Sequence, residues 1–133
     1  MKYLLDTHVF VWFRVDSNNL DSKTLALLKN PKTAVVGSAI STLEMAQLVF
    51  SNKLTLPCDA ETWTEQTRHQ FQAPELPLDS KLAGEAYRLQ GDFHEDPADR
   101  ILVATARNRG WTLVTADRRI LSYPYVRKWD AKA

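Results

Sequence analysis

Short apolar runs of strand length alternate with longer amphipathic segments along the whole chain, and this rhythm most limits what it can fold into. Residues 2–5, 33–40, 75–78, 111–115 and 125–128 read as strands. Pro77 marks the third as an edge strand, because proline cannot donate to a ladder. Residues 8–15, 21–29, 60–71, 79–90 and 97–109 carry apolar side chains at helical spacing, and a further helix opens at Ser41. Gly110 stands where a left-handed C′ residue closes the helix over 97–109. Strands separated by helices are joined by crossovers and run parallel, and a parallel sheet is covered on both faces. The expected architecture is a three-layer α/β/α sandwich with a mostly parallel central sheet, one domain over residues 1–133.

Composition supports that reading and excludes others. Hydrophobic residues make up 44% of the chain, enough for a packed core without staples. The single cysteine, Cys58, excludes an internal disulfide and zinc sites built from several thiolates. No apolar run approaches the ~20 residues of a membrane span, and residues 1–6 do not read as a signal peptide, so a cytoplasmic location is expected. Net charge is only +1, but eight of the 17 basic side chains and two of the 16 acidic ones fall in residues 100–133. That imbalance suits either a polyanionic partner or an ordinary solvated surface.

In open parallel sheets, ligands bind outside the carboxyl ends of the strands. Acidic residues recur at those ends. Asp6 follows the first strand, Glu44 lies in the helix after the second, Asp96 and Asp99 open the helix at Pro97, and Asp117 follows the strand 111–115. Each has a local explanation as a cap. Ser41-Thr42-Leu43-Glu44 matches a capping box, and Asp96-Pro97-Ala98-Asp99 matches an N-cap with proline at N1 and an acid at N3. Together they suggest more. Carboxylates gathered at one edge repel one another, and a hard divalent cation relieves that repulsion. Mg²⁺ or Mn²⁺ held there supports phosphodiester hydrolysis.

The segments Leu4-Leu5-Asp6-Thr7-His8, Ser41-Thr42-Leu43-Glu44, Asp96 through Ala106, and Leu113-Val114-Thr115-Ala116-Asp117 resemble the four acidic motifs of PIN-domain ribonucleases. Within that family the pattern is similar to the VapC-type toxins of toxin–antitoxin pairs, in order and spacing, over essentially the whole chain. The resemblance implies a PIN-like fold and Mg²⁺- or Mn²⁺-dependent endonucleolytic cleavage of RNA. It implies Asp6, Glu44, Asp99 and Asp117 as the catalytic quartet, with Asp6, Asp99 and Asp117 on the metal. Thr115, Thr7 and Asp96 are implied as supporting residues. It further implies a homodimer, a cognate antitoxin protein as partner, and helices around Leu48, Val49, Phe50 and 59–71 left partly exposed in the lone chain.

Other residues draw attention less strongly. Arg100, Arg118, Arg119 and His8 lie near the acidic positions and are candidates for holding phosphates. His94 lies close by, but its spacing matches no standard ligand motif. Two readings compete with a nuclease. A non-catalytic RNA-binding or interaction module has the same fold and no use for the quartet. A phospho-accepting receiver domain also has acids at strand ends, but expects a late-strand lysine where this chain has Thr115 and Asp117.

Overall fold

Five parallel strands, ordered β3-β2-β1-β4-β5, form the centre of the computed structural model, which describes residues 1–132. The strands are β1 (Lys2–Leu5), β2 (Ala34–Ser38), β3 (Glu75–Leu76), β4 (Thr112–Thr115) and β5 (Lys128–Asp130). Helices α1 (Thr7–Val15) and α2 (Ser22–Lys29) separate β1 from β2, with a 3₁₀ turn at Ser17–Asn19 between them. Helices α3 (Ala39–Phe50) and α4 (Ala60–Gln70) lead to β3. Helices α5 (Ser80–Glu85) and α6 (Pro97–Arg109) lead to β4, and the short α7 (Arg118–Leu121) precedes β5.

Alternation along the strands sorts the core into two faces. Leu4, Val36 and Leu113 pack with Ile40, Leu82, Ala86, Ile120 and the buried residues of α6. Leu5, Val35 and Val114 point the other way, onto Val9, Phe10, Leu20 and Leu28 of the α1–α2 region. A smaller cluster of Met45, Ala60 and Trp63 joins α3 to α4. The three layers expected from the sequence are present.

The strand order separates this sheet from a receiver domain, in which β1 lies between β2 and β3. Here β1 lies between β2 and β4, and β3 is an edge. The chain therefore reverses its direction of travel across the sheet at the β1–β4 pair. The crevice at the carboxyl ends of those two strands is the switch point where ligands bind in such folds.

Several boundaries differ from expectation, each for a local reason. Helix α3 starts at Ala39 rather than at Ser41, because Ser38 caps it with its side chain on Ile40 N at 3.2 Å. Ser41 and Glu44 therefore lie inside the helix and form no capping box. Strand β3 stops at Leu76, before Pro77. Helix α5 is capped by Asp79 but ends at Glu85, and the chain then turns through Gly91, whose φ is +70°. A side chain at Gly91 would meet the Tyr125 ring at 2.8 Å. Strand β5 forms three residues later than the sequence suggests, where Leu113, Val114 and Thr115 pair with Lys128, Trp129 and Asp130. Helix α6 spans 97–109 as expected, closed by Gly110 at φ +66°.

Helix α6 is the most buried helix, and Leu102 is completely inaccessible at its centre. Leu102→Ala is expected to destabilise the protein by about 2–5 kcal/mol. Urea unfolding with an unchanged m-value would read this, and a loss below about 1 kcal/mol would contradict the packing described.

Candidate active site

Four of the five acidic residues are brought to the switch point by a strand end or a helix start, and Glu44 by the second turn of α3. Asp6 leaves β1 and caps α1, with Oδ1 accepting from Thr7 N at 2.7 Å. Asp96 caps α6, accepting from Ala98 N at 3.4 Å, and Asp99 follows in the first turn. Asp117 leaves β4 and caps α7 through Arg119 N at 2.8 Å. Capping and site formation are thus the same event. The partial positive charge of a helix N-terminus is what allows carboxylates to be gathered there.

Hydroxyls fix the acids further. Thr115, buried at the end of β4, donates to Asp6 Oδ2 at 2.7 Å and accepts from Asp117 N at 3.0 Å. One hydroxyl thereby links the acid after β1 to the acid after β4. Thr7 donates its hydroxyl proton to Glu44, and its oxygen lies 3.0 Å from Ser41 Oγ. The expected support of Asp6 by Thr7 comes from its backbone N–H; the side chain serves Glu44 instead.

Glu44, Asp96 and Asp99 form the tightest group, each offering a carboxylate oxygen within 4.8 Å of the others. This trio differs from the set Asp6, Asp99 and Asp117 implied by the motif resemblance. Asp6 is engaged by Thr115 and by Thr7 N, Asp117 by Arg119 and Glu44 by the Thr7 hydroxyl, while Asp99 Oδ2 accepts no hydrogen bond. Burial raises the Glu44 carboxyl to about 7 against the pull of Thr7, and Asp6, Asp96 and Asp117 push it the same way. Burial, then Asp6, Asp96, Asp117 and Glu44, raise Asp99 to about 8. Burial also raises Asp6, opposed by its bonds to Thr115 and Thr7. Burial pushes Asp117 up, but Arg119 outweighs it and leaves Asp117 below its ordinary value.

His94 and Arg119 complete the surroundings. His94 Nε2 lies 3.0 Å from Asp99 Oδ2 but out of line for a hydrogen bond, so both atoms are buried without a hydrogen-bond partner. Burial, then Arg119, lower the imidazole from its usual value. Sequence spacing passes over His94; its signal is position, two residues ahead of the Asp96 cap. Arg119 Nη2 is 3.1 Å from Asp117 Oδ2 and 3.5 Å from Asp99 Oδ2.

Of the other candidate cations, Arg100 and Arg118 are engaged elsewhere, while His8 is near enough to lower the Asp6 carboxyl. Arg100 donates to the carbonyls of His94 at 2.8 Å, Ala86 at 3.1 Å and Phe93 at 2.6 Å. Its guanidinium also lies over the Tyr87 ring, 4.8 Å from the centroid. It neither pairs with Asp96 nor offers its fork to a phosphate; it anchors the loop that delivers His94 and Asp96. Arg118 pairs with Asp130 at 3.5 Å on the surface. His8 is exposed beside Trp12, their ring centroids 5.8 Å apart.

A parallel α/β sheet with a carboxylate cluster in its switch-point crevice defines a class of acidic-site α/β domains. A profile of the PIN domain matches residues 3–124, and the chain belongs to that family. It is 32% identical to Ribonuclease VapC22 of Mycobacterium tuberculosis over 124 residues, 93% of each chain. Two solved structures share the fold at lower identity. One is VapBC2 from Rickettsia felis bound to a DNA fragment from their promoter, with TM-score 0.70, 18% identity, and 98% of each chain covered. The other is VapBC-5 from Mycobacterium tuberculosis, a member of the VapBC family of toxin–antitoxin systems, with TM-score 0.56 and 16% identity. It covers 99% of this chain and 98% of that one.

Two outcomes follow from this geometry. Glu44 and Asp99 have raised carboxyl values when folded, so from about pH 4 to about pH 8 the folded chain holds protons that the unfolded chain has released. Stability of the metal-free protein should therefore fall as pH rises through that window. Asp99→Asn should raise Tm by about 3–6 °C at pH 8 and have little effect at about pH 4, read by thermal unfolding in EDTA. Thr115→Val removes the donor to Asp6 and the acceptor for Asp117 N while keeping the shape. It should cost about 1–3 kcal/mol in denaturant unfolding, and a neutral result would mean the hydroxyl does not hold the two strand ends.

Proposed function

We propose that the chain is a metal-dependent endoribonuclease and the toxin of a toxin–antitoxin pair. One observation carries the reading: Glu44, Asp96 and Asp99 converge within 4.8 Å of one another, Asp99 buried and the other two half-buried, and the carboxyls of Glu44 and Asp99 are raised to about 7 and about 8. A hard divalent cation fits such a donor set, because carboxylate oxygens are its preferred ligands and it removes the need to keep them protonated. Asp99 Oδ2 is buried and accepts no hydrogen bond, which leaves a lone pair for it. The identity to a named ribonuclease of the same length supports RNA as substrate.

Asp99, Asp96 and Glu44 would hold Mg²⁺ or Mn²⁺, with Asp6 and Asp117 of the implied quartet completing the negative wall. When bound, the ion supplies Lewis acidity that lowers the pKa of a water and offsets phosphodiester charge. The chain's own residues set the geometry around it. Thr115 fixes the rotamer of Asp6 and the backbone of Asp117, and Thr7 fixes Glu44. Arg100 holds the loop carrying His94 and Asp96 against α6.

The remaining parts of the proposal concern company and place. A cognate antitoxin protein and a second copy of the chain are the partners, in keeping with the relatives in toxin–antitoxin complexes. Leu43 and Phe50 on α3 are well exposed and Val49 less so, which supports an apolar partner surface there. No helix among the described residues is long and apolar enough to cross a membrane, which accords with a cytoplasmic protein.

The test uses antitoxin-free protein and a mixed RNA pool, with Mn²⁺, Mg²⁺ or EDTA. Cleavage should require the metal and fall by at least about 100-fold in Asp99→Asn. Absence of both cleavage and metal-binding heat in the folded wild type would overturn the nuclease reading in favour of a non-catalytic module.

A further inference from the structure

Arg119 occupies a position that the other basic side chains do not. Its backbone N–H is fixed on Asp117 Oδ1 at 2.8 Å, which anchors the main chain at the start of α7. Its guanidinium folds back onto the same carboxylate, with Nε 3.4 Å from Oδ1 and Nη2 3.1 Å from Oδ2. Nη2 also reaches 3.5 Å from Asp99 Oδ2, on a residue only 5% exposed. The guanidinium therefore covers the oxygen that the carboxylate trio leaves without a hydrogen bond.

The side chain is nonetheless 60% exposed, and Asp117 rather than packing holds it in place. Solvent-facing ion pairs are worth little individually, and this one can be exchanged cheaply for a stronger counter-ion. A divalent cation on Asp99 and a guanidinium at 3.5 Å from the same oxygen repel each other. Even in a water-like dielectric, a divalent and a monovalent charge that share one oxygen repel enough to weaken binding several-fold, less so with added salt.

We infer that Arg119 is the resident counter-ion of the acidic site, that an incoming divalent ion must displace its guanidinium from Asp99, and that metal binding thereby frees a tethered arginine at the mouth of the crevice. The inference rests on the metal-site reading above. It makes Arg119 a positioning residue whose two placements are exclusive, on Asp99 without metal and outward with it. The freed fork is planar and suited to the phosphate of a bound strand.

Calorimetry with Mn²⁺ on the folded chain tests the competition. Arg119→Ala should bind Mn²⁺ about three- to tenfold more tightly than wild type. Arg119→Lys keeps the charge and should lie between the two. Arg118→Ala removes the same charge one residue away, from a side chain paired with Asp130, and should change affinity less than about twofold. Displacement itself is read by NMR, in which the Arg119 Nε–H signal, identified by its loss in Arg119→Lys, should shift on saturation with Mg²⁺. Unchanged or weaker Mn²⁺ binding by Arg119→Ala, an equal gain in Arg118→Ala, or an unmoved Nε–H signal would each overturn the inference while leaving the metal site standing. Failure of the wild type to bind either ion would remove the metal site and the inference with it.

Discussion

Like charges at one edge of a parallel sheet are the constraint that organises this molecule. The β1–β4 switch point brings Asp6 and Asp117 to neighbouring strand ends, and α3 and α6 add Glu44, Asp96 and Asp99. Left to themselves these groups would separate or swell the crevice. They stay because each is tied to something rigid. Asp6, Asp96 and Asp117 each cap the helix they precede, and Thr115 and Thr7 hold acids from the strand and helix opposite. The remaining repulsion contributes to the raised carboxyls of Glu44 and Asp99, and Arg119 offsets part of it.

Arg100 shows how far from the crevice that organisation extends. Helix α5 ends early, and the chain between it and α6 has no regular structure to fix it. Three guanidinium bonds to backbone carbonyls, with Tyr87 stacked on the same group and its hydroxyl on Glu95 O at 2.8 Å, replace that structure. A lysine has a single ammonium and cannot reproduce this fork. The placement of His94 and Asp96 therefore depends on a residue one position past Asp99, whose own side chain never faces the site.

The sheet, the layers and the acidic positions are legible in the sequence because strand and helix periods differ and crossovers enforce parallel pairing. Helix α6 is the clearest case, since Asp96, Pro97 and Gly110 mark both ends. Less legible is what depends on distant contacts. The Ser41–Glu44 pattern imitates a cap, but the true cap, Ser38, is set by where β2 stops pairing. Nothing local to Arg100 reveals that it turns to a loop 6–14 residues upstream, and nothing local to His94 reveals its approach to Asp99. Which carboxylates meet also depends on long-range geometry. The motif resemblance groups Asp6 with Asp99 and Asp117, and folding also brings Glu44 and Asp96 within 4.8 Å of Asp99 while Asp6 and Asp117 still act on its charge.

A site assembled this way is costly when empty, and that cost is what makes it a binding site. Any ligand that binds the folded form alone stabilises it in proportion to the logarithm of its concentration over its dissociation constant. A divalent ion favours the charged forms of Asp99 and Glu44, so metal, protons and the Arg119 guanidinium compete for one set of oxygens. Competition of this kind runs both ways: whatever strengthens the arginine's hold on Asp99 weakens the ion's. The same linkage reaches the fold itself, because Asp6 and Asp117 are caps as well as neighbours of the cluster. Occupying the crevice and fixing the starts of α1 and α7 are therefore not separate events in this chain.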